Sequence, residues 1–168
     1  MTGEQTQKRK PILKEEDVER IIAARKYIQE DAGSLLKKMR LKNGHWRASA
    51  DLICPQHNLR ILIRKTEDDE RDFSVLLVYT DGCGSEYTLR RYNGDHGKHT
   101  NPITGEVIYG PHIHKITEEC QRTMLKGEGQ AEDTGEYQTL RTAIEIFMRD
   151  MNIVRKGQEN NTKLTGWS

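Results

Sequence analysis

The sequence predicts an α+β fold: an antiparallel meander of four to five strands, with a long N-terminal helix and C-terminal helices on one face. Three observations carry this expectation. Near both ends of the chain, apolar residues recur at three- and four-residue intervals, the period of a helix. Between about Trp46 and Tyr92 the period falls to two, as in a half-buried strand. The links between those two-period runs are short and turn-rich, which favours antiparallel neighbours.

Taken in order, residues 1–12 are polar and basic and read as a flexible arm, 13–154 as one α+β domain, and 155–168 as a second flexible tail. A helical pattern begins at Lys14 and carries Val18, Ile21, Ile22, Ile28, Ala32, Leu35, Leu36 and Met39. Acids open it and Lys37, Lys38 and Arg40 close it, complementing the helix dipole. Asp31-Ala32-Gly33-Ser34 is a point where it kinks or divides. Trp46, Ala48, Ala50 and Leu52 then alternate with polar residues, and Leu59, Ile61 and Ile63 alternate with Arg60 and Arg64. Phe73 to Thr80 is apolar on both faces, which suits a central strand. Asp81-Gly82-Cys83-Gly84 is a turn signal, and Ser85 to Tyr92 returns as a fourth strand. Thr117 with Glu118 and Glu119 looks like a capped helix start running to about Leu125. Gly127 to Gly135 reads as a polar linker. Leu140, Ala143, Ile144, Phe147, Met148 and Met151 then mark the clearest helix.

Composition narrows the function classes. A chain of 168 residues with 34% hydrophobic content can bury one modest core. The net charge of +1 gives no global electrostatic reason to bind nucleic acid or membrane. Cys54, Cys83 and Cys120 form no CxxC pair and suggest free thiols in a reducing compartment. Neither a transmembrane run nor an apolar signal core is visible, so a cytoplasmic protein with no membrane partner is expected.

Chemistry concentrates between Arg90 and Thr117, where four of the six histidines fall: His96, His99, His112 and His114. His112 and His114 lie two apart in an extended-looking run, a spacing that turns both imidazoles to one strand face. Imidazole titrates near neutrality and is a common metal ligand, so proton transfer and metal binding both suit the cluster. A metal site would draw on His96, His99, His112 and His114, with Glu118 as a carboxylate ligand and zinc, iron or nickel as the divalent transition metal. His112-x-His114-x-x-x-Glu118 is similar to the first metal motif of cupins. A cofactor-free site would share general-base and general-acid work between histidines, while Arg90 or Arg91 stabilises a phosphoryl group. Arg90 and Arg91 should point to opposite faces of their strand, so one of them shares the histidine side. The histidines could instead pin the long connection to the sheet. A non-catalytic module is the remaining reading. Arg47, Arg60, Arg64, Thr88, Arg90 and Tyr92 would then share a face that binds single-stranded nucleic acid, or exposed Leu76 and Val78 would bind a protein.

The segment Arg91-Tyr92-Asn93, running on to His96, His99 and Pro111-His112-Ile113-His114, resembles the RYDN…HH…P-H-x-H block of small bacterial toxins of the TumE kind. That resemblance covers residues 90–117 and implies an intracellular toxin directed at RNA or replication and neutralised by a cognate antitoxin. It places Tyr92 beside the arginines and histidines as a site residue. The expectation that follows is a histidine-centred, ribonuclease-type nucleic-acid hydrolase of bacterial or phage origin.

Overall fold

The computed structural model describes residues 9–123 and 126–158. The chain runs α1 (Glu15–Ala23), β1 (Lys26–Ile28), α2 (Ala32–Lys38), β2 (Arg40–Lys42), β3 (His45–Leu52), β4 (Asn58–Thr66), β5 (Phe73–Thr80) and β6 (Glu86–Asn93). It continues through β7 (His99–Thr100), β8 (Val107–Ile108), β9 (His112–Lys115), α3 (Glu118–Arg122), β10 (Ala131–Asp133), α4 (Leu140–Asp150) and β11 (Ile153–Arg155). The fold is α+β, as expected, but the antiparallel sheet is larger. Seven strands lie in the order β10-β9-β6-β5-β4-β3-β2, with β5 at the centre. Its doubly apolar sequence fits that central place.

The long N-terminal helix is corrected to two short helices with a strand between them. The cause is Lys26. Its ammonium is buried and donates to the carbonyls of Ile22 at 2.9 Å, Ala24 at 2.7 Å and Met151 at 2.8 Å. A lysine that takes the last helical carbonyls satisfies groups the next turn would otherwise have used. β1 then pairs in parallel with β11, tying the N-terminal segment to the residues after α4. The supposed tail therefore starts inside the fold, while 159–168 lie outside the described residues.

Two further strands enlarge the sheet. β2, read as a helix end, instead forms a two-residue hairpin with β3 through Asn43 and Gly44, both at positive φ. β10 arises within the supposed linker and pairs with β9. α3 ends at Arg122, and Leu125 lies outside the described residues. At the other end, the Tyr87 hydroxyl donates to the Pro11 carbonyl at 2.6 Å, so the last residues of the N-terminal arm lie against β6.

One apolar core joins the helices to a single face of the sheet. Leu59, Ile61, Ile63, Phe73, Val75 and Leu77 meet Leu35, Ala143, Ile144 and Phe147 there, all at or below 2% exposure. A bulge decides what the opposite face carries. Leu77 pairs with Arg90 but Val78 pairs with Thr88, leaving Leu89 as an extra residue in β6. An extra residue reverses the alternation beyond it. Arg90 and Tyr92 therefore turn to the helix side, although simple parity puts them with Thr88. Arg91 and Asn93 take the outer face.

Candidate functional site

The outer face of β6 and β9 is the floor of the site. Asn93 pairs with His112, and Arg91 with His114, so these four side chains share one face at adjacent register positions. Both histidines are buried, His112 at 0% and His114 at 6% exposure. The alternate residue, Ile113, packs on the core. Tyr137 secures the junction from below: its buried hydroxyl lies 2.9 Å from the Asn93 carbonyl and 3.2 Å from that of His112.

The connection after β6 folds back over this floor. Gly94 starts it where only glycine fits, since a Cβ there would stand 2.1 Å from the Arg71 carbonyl oxygen and 2.6 Å from the Phe73 ring. β7 and β8 then form a small hairpin that Asn101 clasps to β10. The Asn101 amide donates to the Ala131 carbonyl and accepts from the Ala131 N–H, both at 2.8 Å. This clasp brings His99 over the strand histidines.

The result is a compact imidazole cluster. Ring centroids lie 5.1 Å apart for His99 and His112, 4.6 Å for His99 and His114, and 5.0 Å for His112 and His114. His96 meets His112 edge-on at 4.9 Å from the exposed rim. Candidate ligand nitrogens of His99, His112 and His114 fall within 4.8 Å of one another. A tetrahedral ion with 2.0–2.1 Å bonds needs nitrogens about 3.3 Å apart, so binding would draw the rings slightly inward.

Hydrogen bonds set the tautomers. His112 Nδ1 lies 2.8 Å from the Gly110 carbonyl, and His114 Nδ1 lies 2.7 Å from that of Glu128. A carbonyl only accepts, so each Nδ1 carries the proton and each Nε2 keeps its lone pair. His99 Nε2 lies 3.0 Å from Asn101 Oδ1, and the Ala131 clasp fixes that oxygen as an acceptor. His99 Nε2 therefore carries a proton, which leaves Nδ1 as its candidate ligand atom. Burial pushes the His112 pKa down, helped by neighbouring His96 and His99. Burial, with His112 and His99 adding to it, takes His114 down to about 3. At neutral pH both are uncharged bases.

The other residues of the sequence reading divide. Arg91 reaches the cluster's edge, paired with Glu128 at 2.7 Å. Arg90 is on the helix side, buried and paired with Glu19 of α1. Tyr92 stacks on Tyr137 and meets Phe147, with its hydroxyl on Asp150 at 2.6 Å, so the structure does not bring it to the histidines. Glu118 sits at the start of α3 and pairs with Arg122 at 2.7 Å. It is not part of the cluster, and the cupin-like spacing places only His112 and His114 together. Leu76 is half-buried and Val78 is buried at 4% exposure, so neither forms an exposed apolar patch.

Sequence reasoning missed Asn93 and Asn101 as site residues. Asn93 stands next to Tyr92 in the segment that carries the toxin resemblance, and that was a usable signal. Its amide nitrogen lies 3.2 Å from His96 Nε2 and 3.3 Å from His112 Nε2. Nothing local marks Asn101, whose role depends on a strand thirty residues away. The cluster opens on a cleft of about 440 Å³ that also exposes Arg64, Ser74, Arg91 and Lys126. Two polar atoms at this place, Asn93 Oδ1 and Arg91 Nε, are buried without a hydrogen-bond partner among the described residues.

No protein-family model matches the chain, and no curated protein or solved structure does either. No helix among the described residues is long and apolar enough to cross a membrane.

Proposed function

We propose that this protein is a nucleic-acid hydrolase in which His99, His112 and His114 hold a divalent transition ion. One observation carries the reading. Each of the three rings binds a protein acceptor through one nitrogen and leaves the other as its candidate ligand atom, which in His112 would have to give up the Asn93 amide at 3.3 Å. Metal-ligating histidines usually show that outer-shell arrangement, which fixes the tautomer and orients the ring. His112 and His114, neutral through burial, also need lose no proton on binding a cation.

The residues fit such an ion as a three-nitrogen set in which His99 and His114 line an open cleft and His112 lies buried behind them, the open pattern of catalytic rather than structural zinc. A bound ion would supply Lewis-acid polarisation and a lowered pKa for water. Around it, Arg91 would turn its guanidinium from Glu128 to a phosphoryl oxygen, and the buried side-chain Oδ1 of Asn93 is an acceptor that a water could meet. His96, exposed on the rim, would pass a proton to a departing oxygen. The three cysteines are free, which fits a cytoplasmic protein.

The test uses tag-free protein stripped with EDTA and titrated with Co²⁺. The expected result is about one ion per chain, with visible absorption of a tetrahedral nitrogen site that His99→Ala and His114→Ala each abolish. RNA cleavage should return with the ion. Absence of stoichiometric binding would overturn the metal centre. A metal-free reading draws on the exposed His96 beside buried His112. It predicts cleavage that EDTA leaves unchanged, with a bell-shaped pH profile. The resemblance to toxins of the TumE kind adds a cellular expectation: growth arrest and RNA damage on expression without an antitoxin, both lost in His114→Ala.

A further inference from the structure

The outer sheet face beyond the histidines carries an unusual row. Cross-strand register places Arg40 opposite Arg47, Arg47 opposite Arg64, Arg64 opposite Ser74, Ser74 opposite Asn93, and Asn93 opposite His112. Directly opposed residues share a face, so one line of side chains crosses the sheet from its β2 edge to the histidine cluster. Five strand spacings make that line about 24 Å long.

The three arginines are exposed, and none pairs with a carboxylate among the described residues. Arg40 donates to the carbonyls of Lys37, Lys38 and Met39 at the end of α2, and Arg64 hydrogen-bonds to the His45 ring. Like charges directly opposed across strands are destabilising. Elsewhere on this face charge is cancelled locally, by Glu86 on Arg60 at 2.7 Å and by Glu128 on Arg91. Asp72, in the histidine cleft, accepts from the Thr66 hydroxyl at 2.6 Å. The uncancelled row is therefore selective. A second cavity of about 710 Å³ runs over Arg40, Arg47, Leu62 and Leu76, and Arg64 lines both it and the histidine cleft.

We infer that this row is a binding track for the phosphodiester backbone of a single-stranded nucleic acid, leading a strand into the histidine cleft. The inference rests on the proposed hydrolase for what happens at the end of the track, but binding along it does not need the metal. Arginine on three adjacent strands sets three long cationic side chains side by side for a run of phosphates, and half-buried Leu62 and Leu76 offer apolar surface beside them. No aromatic ring joins the row, so recognition tracks the backbone and is indifferent to sequence. A single strand is selected because the cleft must admit the reacting phosphate between β9 and the folded-back hairpin.

The experiment measures fluorescence anisotropy of labelled twenty-nucleotide oligo-U, oligo-dT and a duplex, in EDTA, across a salt series. Wild-type protein should bind both single strands, with log K falling against log salt at a slope of about −2 for three phosphate contacts. Arg47→Gln should weaken binding and reduce that slope by about 0.7. Arg141→Gln on α4, on the other side of the sheet, should change neither. Thermal unfolding of Arg47→Gln should be no lower than wild type, since the change relieves repulsion, and this separates lost binding from lost fold. Equal slopes in wild type and Arg47→Gln, or tighter binding of the duplex, would overturn the track. Binding retained without any metal-dependent cleavage would instead refute the proposed hydrolase and leave the track standing.

Discussion

Acid should weaken the metal-free protein through its buried imidazoles, and the size follows from the site. His114 has an ordinary pKa of 6.5 and is held at about 3 in the fold, chiefly by burial. Between those values the unfolded chain binds a proton that the folded chain refuses, so stability falls as pH falls through 6.5 toward 3. The full displacement corresponds to about 5 kcal/mol, and the step from pH 7.5 to 4.5 captures about 2–3 kcal/mol of it. His112 is shifted in the same direction and adds to the loss. The assay is urea unfolding in EDTA at pH 7.5 and 4.5, for wild type and His114→Gln. Carboxylates titrate alike in both proteins, so the difference between the two pH dependences isolates His114. Wild type should lose about 2–3 kcal/mol more than the variant over that step. Equal losses would show that His114 is protonated in the folded protein, and its place as a neutral ligand would fall with it.

Two further outcomes test the frame that holds the site. Phe147→Ala should cost about 3–5 kcal/mol in urea unfolding, because the side chain is fully buried and meets Tyr92 edge-on at 5.1 Å. A loss below about 1 kcal/mol would mean that α4 is peripheral. Gly94→Ala must displace the Arg71 carbonyl or the Phe73 ring, and overpacking of this kind costs about 1–3 kcal/mol. It should also weaken Co²⁺ binding at equal folded fraction, since the hairpin that carries His99 starts there. Unchanged stability in Gly94→Ala would refute the close approach.

The residues of the core were legible in the chain more clearly than its elements. Val18, Ile21, Ile22, Ile28, Ala32, Leu35 and Met39 are all buried, as their spacing suggested, yet they belong to two helices, a strand and, for Met39, the C-cap of the second helix rather than to one long helix. Periodicity reports which side chains avoid water. It does not report that a lysine ammonium will collect three carbonyls and end a helix. Asn43-Gly44 shows a different failure: the hairpin signal stood in the sequence, but a helical reading of its surroundings covered it. β10 and β11 had no local signal strong enough to find, because each exists through a partner strand far away in the chain.

The site divides along the same line. The i, i+2 spacing of His112 and His114 on a strand was enough to place both rings on one face, because strand pleating is a local property. That one of two adjacent arginines joins them also follows from pleating. Which one does was decided by the bulge at Leu89, an extra residue in the pairing of β6 with β5 that no single strand reveals. The meeting of His99 with the strand histidines, the protons on each ring and the arginine row from Arg40 to Arg64 are likewise products of register. They depend on Asn101 reaching Ala131, on carbonyls of Gly110 and Glu128, and on three strands aligned side by side. Sequence supplied the chemical groups and their faces; tertiary structure supplied their neighbours, because hydrogen bonds and charge act through space rather than along the chain.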